Sequence, residues 1–265
     1  MSEIHELLAI RYAHNARRSP ENFIGGDPHD TDMPLDYFVW VIRNAHRTIV
    51  VDTGFGEQQA RERGRDILHP VSEGLQAAGV DPDAVKDVII THMHYDHAGN
   101  NDLFQNACFH LQDSEMAFAT GRCMCHAHAN HPYNVEDVVG LVRRVYAGSV
   151  QFHDTVSELA PGITLHHVGG HARGLQCVRV MTARGPVLLA SDATHHYRHM
   201  DEGKVFPTCD SVSDALLGYD TLRSLAKPGH IIPGHDPKVM GLYPALSKQA
   251  EDWIVRLDIE PAEGG

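Results

Sequence analysis

The chain has 265 residues, of which 42% are hydrophobic and 22% charged, an ordinary globular composition that excludes wholesale disorder and allows one large domain or two small ones. Lys+Arg 22 against Asp+Glu 35 gives a net charge of −13 at pH 7, which repels phosphate backbones and anionic membranes, so neither nucleic acid nor a membrane is an expected partner. The anomaly is 21 histidines, nearly as many as all Lys and Arg together and far more than packing or solubility requires.

From the N-terminus, only Leu7–Ile10 forms a short apolar run, without the basic region, longer apolar stretch and small-residue cleavage site of a secretory signal. No stretch approaches the ~18 apolar residues that cross a bilayer. The five cysteines (Cys108, Cys123, Cys125, Cys177 and Cys209) are odd in number and scattered, unlike a disulfide framework. A reducing, cytoplasmic setting is the expectation. With no linker, low-complexity run or short-period repeat, a single domain over 1–265 is expected.

Strand-length apolar runs follow at Tyr37–Ile42, Thr48–Val51, Val85–Ile90, Ile163–Val168, Cys177–Met181, Val187–Ala190 and Ile231–Ile232, with a hairpin turn at Arg43–His46. Val135, Val138, Val139, Val142, Val145 and Tyr146 lie on one helical face behind Asn134 as N-cap, and weaker helical patterns cover Ser114–Thr120, Asp214–Leu225 and Tyr243–Leu257. Strands alternating with helices predict a layered α/β sandwich. Long loops are expected around Gly25–Pro28 and over Thr194–Asp210, and long loops in compact domains are often functional.

The segment that decides the chemistry is Thr91-His92-Met93-His94-Tyr95-Asp96-His97, a loop following the apolar run Val88–Ile90. Its three imidazoles and one carboxylate are the N and O donors that Zn²⁺, Fe²⁺ or Mn²⁺ accept. His92 and His94, two apart in an extended chain, point the same way and can grip one ion. Asp96 and His97, past the turn, would serve a second. Three further segments end an apolar run in a ligand: His166-His167-Val168-Gly169-Gly170-His171, Val187–Ser191 with Asp192, and Ile231-Ile232-Pro233-Gly234-His235. Ligands at neighbouring strand ends converge on one sheet edge, the usual place for α/β sites.

This pattern of His92-x-His94-x-Asp96-His97, His171, Asp192 and His235 resembles the metallo-β-lactamase superfamily. Within it the N-acyl homoserine lactonase-like group is most similar, sharing also Val51-Asp52-Thr53-Gly54, Gly-Gly-His171 and Pro233-Gly234-His235-Asp236. The resemblance, running from about Val39 to Met240, implies an αββα sandwich with two divalent metal ions per chain at its upper edge. It implies that His92, His94 and His171 hold the first ion, that Asp96, His97 and His235 hold the second, and that Asp192 bridges them. Asp52 would orient a metal-bound histidine from behind. Zinc suits the donors best, with Fe, Mn or Co also compatible. The long stretch between His97 and His171, with its helical pattern, fits a lactonase-like member better than a minimal glyoxalase-II-like one. A class B β-lactamase would place a cysteine among the second-metal ligands, and nucleases usually add a domain and a basic groove.

The implied reaction is attack of a metal-bridging hydroxide on the carbonyl of a small lactone, with Asp96 ferrying the proton. A thioester or cyclic-amide hydrolase is the near alternative; a di-iron redox protein or a nuclease fits less well. Many acyl-homoserine lactonases carry a tyrosine three residues after the bridging aspartate, where this chain has His195. With His196, Tyr197, Arg198 and His199 following, the stretch offers little apolar trough for a long acyl chain. His195, Tyr197, Arg198 and Arg173 are therefore candidate contacts to a compact polar or carboxylated lactone, His195 also as a catalytic group. Cys123, Cys125, His126 and His128 could form a second metal cluster, but structural zinc usually has Cys-x₂₋₄-Cys spacing, so a lid or pocket loop, compatible with a subunit contact, is the preferred reading. A homodimer is compatible with it. His166 and His167 are expected to be structural.

Overall fold

The computed structural model describes residues 3–262. Its strands are β1 (Glu6–Asn15), β2 (Leu35–Arg43), β3 (Thr48–Val51), β4 (Asp66–Ile67), β5 (Asp87–Ile89), β6 (Cys108–Gln112), β7 (Val150–His153), β8 (Val156–Ala160), β9 (Ile163–His167), β10 (Gln176–Thr182), β11 (Gly185–Ser191), β12 (Ile231–Pro233) and β13 (Ile254–Arg256). The helices are α1 (Glu57–Arg63), α2 (Val71–Ala77), α3 (Asp113–Ala119), α4 (Ala127–Asn130), α5 (Val135–Tyr146), α6 (Tyr197–Glu202), α7 (Val212–Leu225) and α8 (Lys238–Leu242). One sheet runs β13-β1-β2-β3-β5-β6-β7, with β4 beside β1, and the other runs β12-β11-β10-β9-β8.

Alternation along the strands accounts for the layers. In β1, Leu7 and Ala9 point between the sheets, where they meet Phe38, Trp40, Ile49, Val51, Leu165, Val178, Val180 and Leu189. Leu8, Ile10 and Tyr12 point the other way, into a core closed by Val71 and Leu75 of α2 and by Val138 and Leu141 of α5. On the outer face of the second sheet, Cys177, Leu188 and Ala190 pack against Tyr219 and Leu222 of α7. Helix, sheet, sheet and helix thus stack as the expected αββα sandwich. Among the described residues, no helix is long and apolar enough to cross a membrane.

Parallel pairing then fixes where the site lies. β3 and β5 run parallel, as do β11 and β12, so Asp52, Thr91, Asp192 and the Pro233–His235 turn all emerge at one edge. Bonds from strands to the emerging turns knit that edge together, from Gln176 N to the Thr91 carbonyl (2.9 Å) and from Asp36 N to the His235 carbonyl (3.0 Å).

Two expectations are corrected. Tyr243–Leu257 is not a helix. Pro244 interrupts it, a single 3-10 turn covers Lys248–Ala250, and Ile254–Arg256 instead completes the open edge of β1. Thr194–Asp210 is not loop throughout, since α6 occupies Tyr197–Glu202.

Helix α5 starts as its sequence predicts, with Asn134 Oδ1 accepting from Glu136 N (2.9 Å) and Asp137 N (3.3 Å). Asp137 Oδ2, however, is buried without a partner. Burial lifts this carboxyl to about 7; Arg63 opposes the shift, and Asp102 and Glu136 add to it. With the folded value raised above the unfolded one of ~3.9, stability falls as pH rises through the window from about 4 to 7. Asp137→Asn should therefore be more resistant to urea than the parent at pH 8, by about 1–2 kcal/mol after discounting for its partly exposed edge, with the gap narrowing toward pH 5. An equal or lower midpoint at pH 8 would contradict the unfavourable burial.

Candidate metal centre

Asp192 follows Ser191 at the end of β11 and is 4% exposed. Its Oδ1 lies 3.3 Å from His97 Nε2 and 3.0 Å from His235 Nε2. Its Oδ2 lies 3.2 Å from His171 Nε2 and 4.0 Å from His92 Nε2. The two oxygens of one carboxylate thus face two different groups of donors. On one side His92 Nε2 is 3.0 Å and His171 Nε2 2.9 Å from His94 Nδ1. On the other, His97 Nε2 and His235 Nε2 are each 3.7 Å from Asp96 Oδ2. His92, His94 and His171 form one set that could hold a metal ion, and Asp96, His97 and His235 form another.

The donor chemistry fits such ions. Three imidazole nitrogens meeting at one point cannot all be satisfied by hydrogen bonds to each other, because each such bond needs a proton on one side only. His97 Nε2 and Asp192 Oδ1 are buried without hydrogen-bond partners. Orphaned polar atoms of this kind are costly unless a further group completes them. Burial, and then repulsion from neighbouring imidazoles, holds His92 and His94 well below the usual histidine range, which keeps them neutral as metal binding requires. Burial also pushes His97 down, but Asp192, Asp96 and Asp52 outweigh it and raise this imidazole; Asp192 likewise outweighs burial at His235. Asp192 itself is held well below the carboxylate range, burial being overcome by His235, His195, His97 and His171.

A second layer of bonds aims these rings. Asp52 Oδ2 accepts from His97 Nδ1 (2.7 Å), while Thr91 donates its N–H (2.7 Å) and hydroxyl (2.8 Å) to the same carboxylate. His235 Nδ1 donates to the Asp36 carbonyl (2.9 Å). Each of these two rings is thereby left with Nε2 toward Asp192. Asp52 and Ser191, both at strand ends, adopt positive φ (61° and 46°), the sort of local strain that surrounding bonds must hold in place. Gly234 is required because a Cβ there would lie 2.6 Å from Asp192 Oδ1 and 2.8 Å from the Ser191 carbonyl carbon.

His195 joins the cluster, its Nε2 lying 3.1 Å from Asp192 Oδ2 and its ring stacked on Phe206 at 3.7 Å between centroids. The other three candidate substrate contacts are not brought to the cavity above the site. Arg198 is tied to Asp27 and Glu202. Tyr197 packs into the core between the sheets. Arg173 pairs with Asp210 (2.6 Å) over the Phe118 ring. Each follows Asp192 or His171 closely in sequence, but the turn of α6 or an acidic neighbour carries its head away. Cys123, Cys125 and His126 join no metal-binding group among the described residues. His128 and His131 instead line a groove of about 600 Å³ with Phe118, Ala127, Pro132 and Pro207, against His94 and His171. An apolar trough thus exists beside the site, built from segments remote in sequence from the 193–199 stretch, which contributes none of it. His166 bonds Thr164 and His167 bonds the Arg173 carbonyl, the structural roles expected of them.

The chain matches the metallo-beta-lactamase superfamily model over residues 33–235. It belongs to that superfamily. It is 28% identical over 229 residues to the N-acyl homoserine lactonase AttM of Azorhizobium caulinodans, covering 80% of this chain and 85% of that protein. Among solved structures it is similar to a quorum-quenching N-acyl homoserine lactone lactonase (TM-score 0.76, 22% identity, 90% of this chain and 95% of that one). It is also similar to AidC, a dizinc quorum-quenching lactonase (TM-score 0.68, 18% identity, 89% of each chain).

One positioning residue was not legible in the sequence. Glu115, fully buried in α3, accepts from Met93 N (2.8 Å) and the Tyr133 hydroxyl (3.1 Å) through Oε1, and from Gly174 N (2.8 Å) through Oε2. It thereby joins the His92–His94 loop to the turn after His171. Burial raises its pKa, opposed by those same donors. Glu115→Ala should lose about 2–4 kcal/mol in urea unfolding, because buried N–H groups lose their acceptor. Zinc titration of the variant should also weaken, with Glu115→Gln less affected on both measures. Stability of Glu115→Ala within ~0.5 kcal/mol of the parent, the range of ordinary surface changes, would contradict this role.

Proposed function

We propose that the chain is a dinuclear-metal hydrolase that opens the ring of a small lactone. The observation that carries this reading is Asp192, one buried carboxylate whose two oxygens face two complete donor sets. The lactonase names of its relatives support the substrate class, and the dizinc lactonase among its structural neighbours supports two zinc ions. His92, His94 and His171 would hold one ion, Asp96, His97 and His235 the other, with Asp192 shared. Bound there, two divalent ions would acidify water and polarise an ester carbonyl.

The chain's own groups supply the rest. Asp96, its side chain 11% exposed at the cavity floor, is placed to take a proton from water and pass it to the leaving alkoxide. His195, its ring stacked on Phe206 and lining the same cavity, is placed to orient the substrate. A lactone suits this geometry, since its leaving group stays tethered to the bound acyl half. The five free cysteines accord with the reducing cytoplasm as its setting.

Purified without chelator, the protein should contain two divalent ions per chain and hydrolyse simple lactones in preference to thioesters, cyclic amides or nucleic acid. Metal content of one or none, with no gain on adding zinc or manganese, would count against the dinuclear site. Preferential thioester or amide cleavage would move the activity within the superfamily. Asp192→Ala should lose both ions together by elemental analysis; retention of either at full occupancy would refute the shared ligand.

A further inference from the structure

The cavity above the candidate metal centre, about 260 Å³, is walled by three arginines that the sequence did not single out: Arg17, Arg63 and Arg65. They come from separate stretches, Arg17 beyond the end of β1 and the other two on either side of the Gly64 that ends α1. Among the described residues, no carboxylate lies within 4.0 Å of any of them. Glu21, Asp137 and Asp96 are close enough to act on Arg17, Arg63 and Arg65 respectively, but none of them lies within that distance. Arg11, Arg173 and Arg198, by contrast, pair with Asp36, Asp210 and Asp27. In a chain of net charge −13, three guanidinium groups without acid partners on one small cavity are a marked local exception.

Neutral contacts hold them in place while leaving donors free. Arg65 donates Nε to the Tyr95 hydroxyl (3.2 Å) and Nη1 to the Arg63 carbonyl (2.6 Å). Arg63 lies 4.0 Å over the Tyr95 ring and donates Nη2 to the Tyr133 carbonyl (3.2 Å). Arg17 donates Nη2 to the Glu21 carbonyl (2.6 Å), but its buried Nε has no partner. Carbonyls and aromatic faces orient these side chains without neutralising them, as recognition of an incoming anion requires. Asp96, Asp192 and His235 line the same cavity, so an anion held by the arginines lies on a molecule that also reaches the metal-ligating edge.

We propose that the substrate is a lactone bearing a carboxylate away from the scissile ester, and that Arg17, Arg63 and Arg65 bind that carboxylate. This rests on the lactonase reading and narrows its substrate class. The cavity's volume limits the part held there to a small ring with its acid group, while the adjoining groove past His94 and His171 is available to an apolar substituent.

The test uses the metal-loaded enzyme and matched pairs of lactones that differ only as carboxylate or carboxamide, built on γ-butyrolactone and on phthalide. The carboxylate member should show a kcat/KM about 10-fold or more above its carboxamide. Arg17→Met, Arg63→Met and Arg65→Met should each lower that ratio, chiefly through KM, with two ions still bound by elemental analysis. A wild-type ratio at or below one, or a ratio unchanged in all three variants, overturns the proposal. If no lactone of either kind is opened, the lactonase reading falls. Calorimetry then tests the anion site by itself, with the ring-opened diacids against their monoamides. Tighter binding of the diacid that is lost in the arginine variants upholds the site, and equal affinities overturn it.

Discussion

A buried carboxylate placed between two groups of imidazoles organises this protein. Asp192 cannot sit at 4% exposure unless charge or hydrogen bonds answer both oxygens, and the groups that answer include the histidines of three other segments. Their rings need partners on the far side, which explains the bonds from His97 to Asp52 and from His235 to the Asp36 carbonyl. Asp52 in turn needs the Thr91 N–H and hydroxyl. The left-handed backbone at Asp52 and Ser191 and the glycine at 234 follow from packing so many donors around one point.

The two-sheet architecture makes that concentration affordable. Parallel pairing of β3 with β5 and of β11 with β12 brings four strand ends to one edge, while the apolar residues between the sheets fix the spacing of the layers. Glu115 connects loops from both sheets at that edge through three hydrogen bonds. The donor side chains are therefore held by strand ends and buried bonds rather than by flexible loop alone, the condition for a preorganised centre.

Charge is distributed unevenly around the centre. The acidic chain as a whole repels polyanions, yet the small cavity over the centre is lined by arginines whose positions are fixed by carbonyls and tyrosines. Arg173 and Arg198, closer to the ligands in sequence, are neutralised by Asp210, Asp27 and Glu202 and serve packing instead. Proximity in sequence to a candidate ligand is a poor guide to which side chains line the cavity, because a helix turn such as that of α6 rotates successive side chains away from one another.

The ligand motifs, the αββα layering, the hairpin at Arg43–His46, the Asn134 cap of α5 and the supporting role of Asp52 were all legible in the sequence. The donor clusters, the α/β alternation, the hairpin and the cap depend on local chemistry (donor types at short spacing, the period of apolar residues, a cap beside its own helix), while the αββα stacking and the place of Asp52 were implied by the resemblance to the superfamily. The sequence is silent or misleading where a partner from far along the chain decides. β1 is buried on both faces and so shows no alternation, and Ile254–Arg256 becomes a strand because the edge of β1 accepts it. Glu115, the groove beside His94, and the cavity of Arg17, Arg63 and Arg65 arise where segments remote in sequence meet. Local sequence thus determined which donor atoms are available to the candidate centre. Only the tertiary structure decided which oxygen of Asp192 faces which histidines and which arginines are left without an acid, since both are distances between segments whose separation along the chain says nothing of their separation in space.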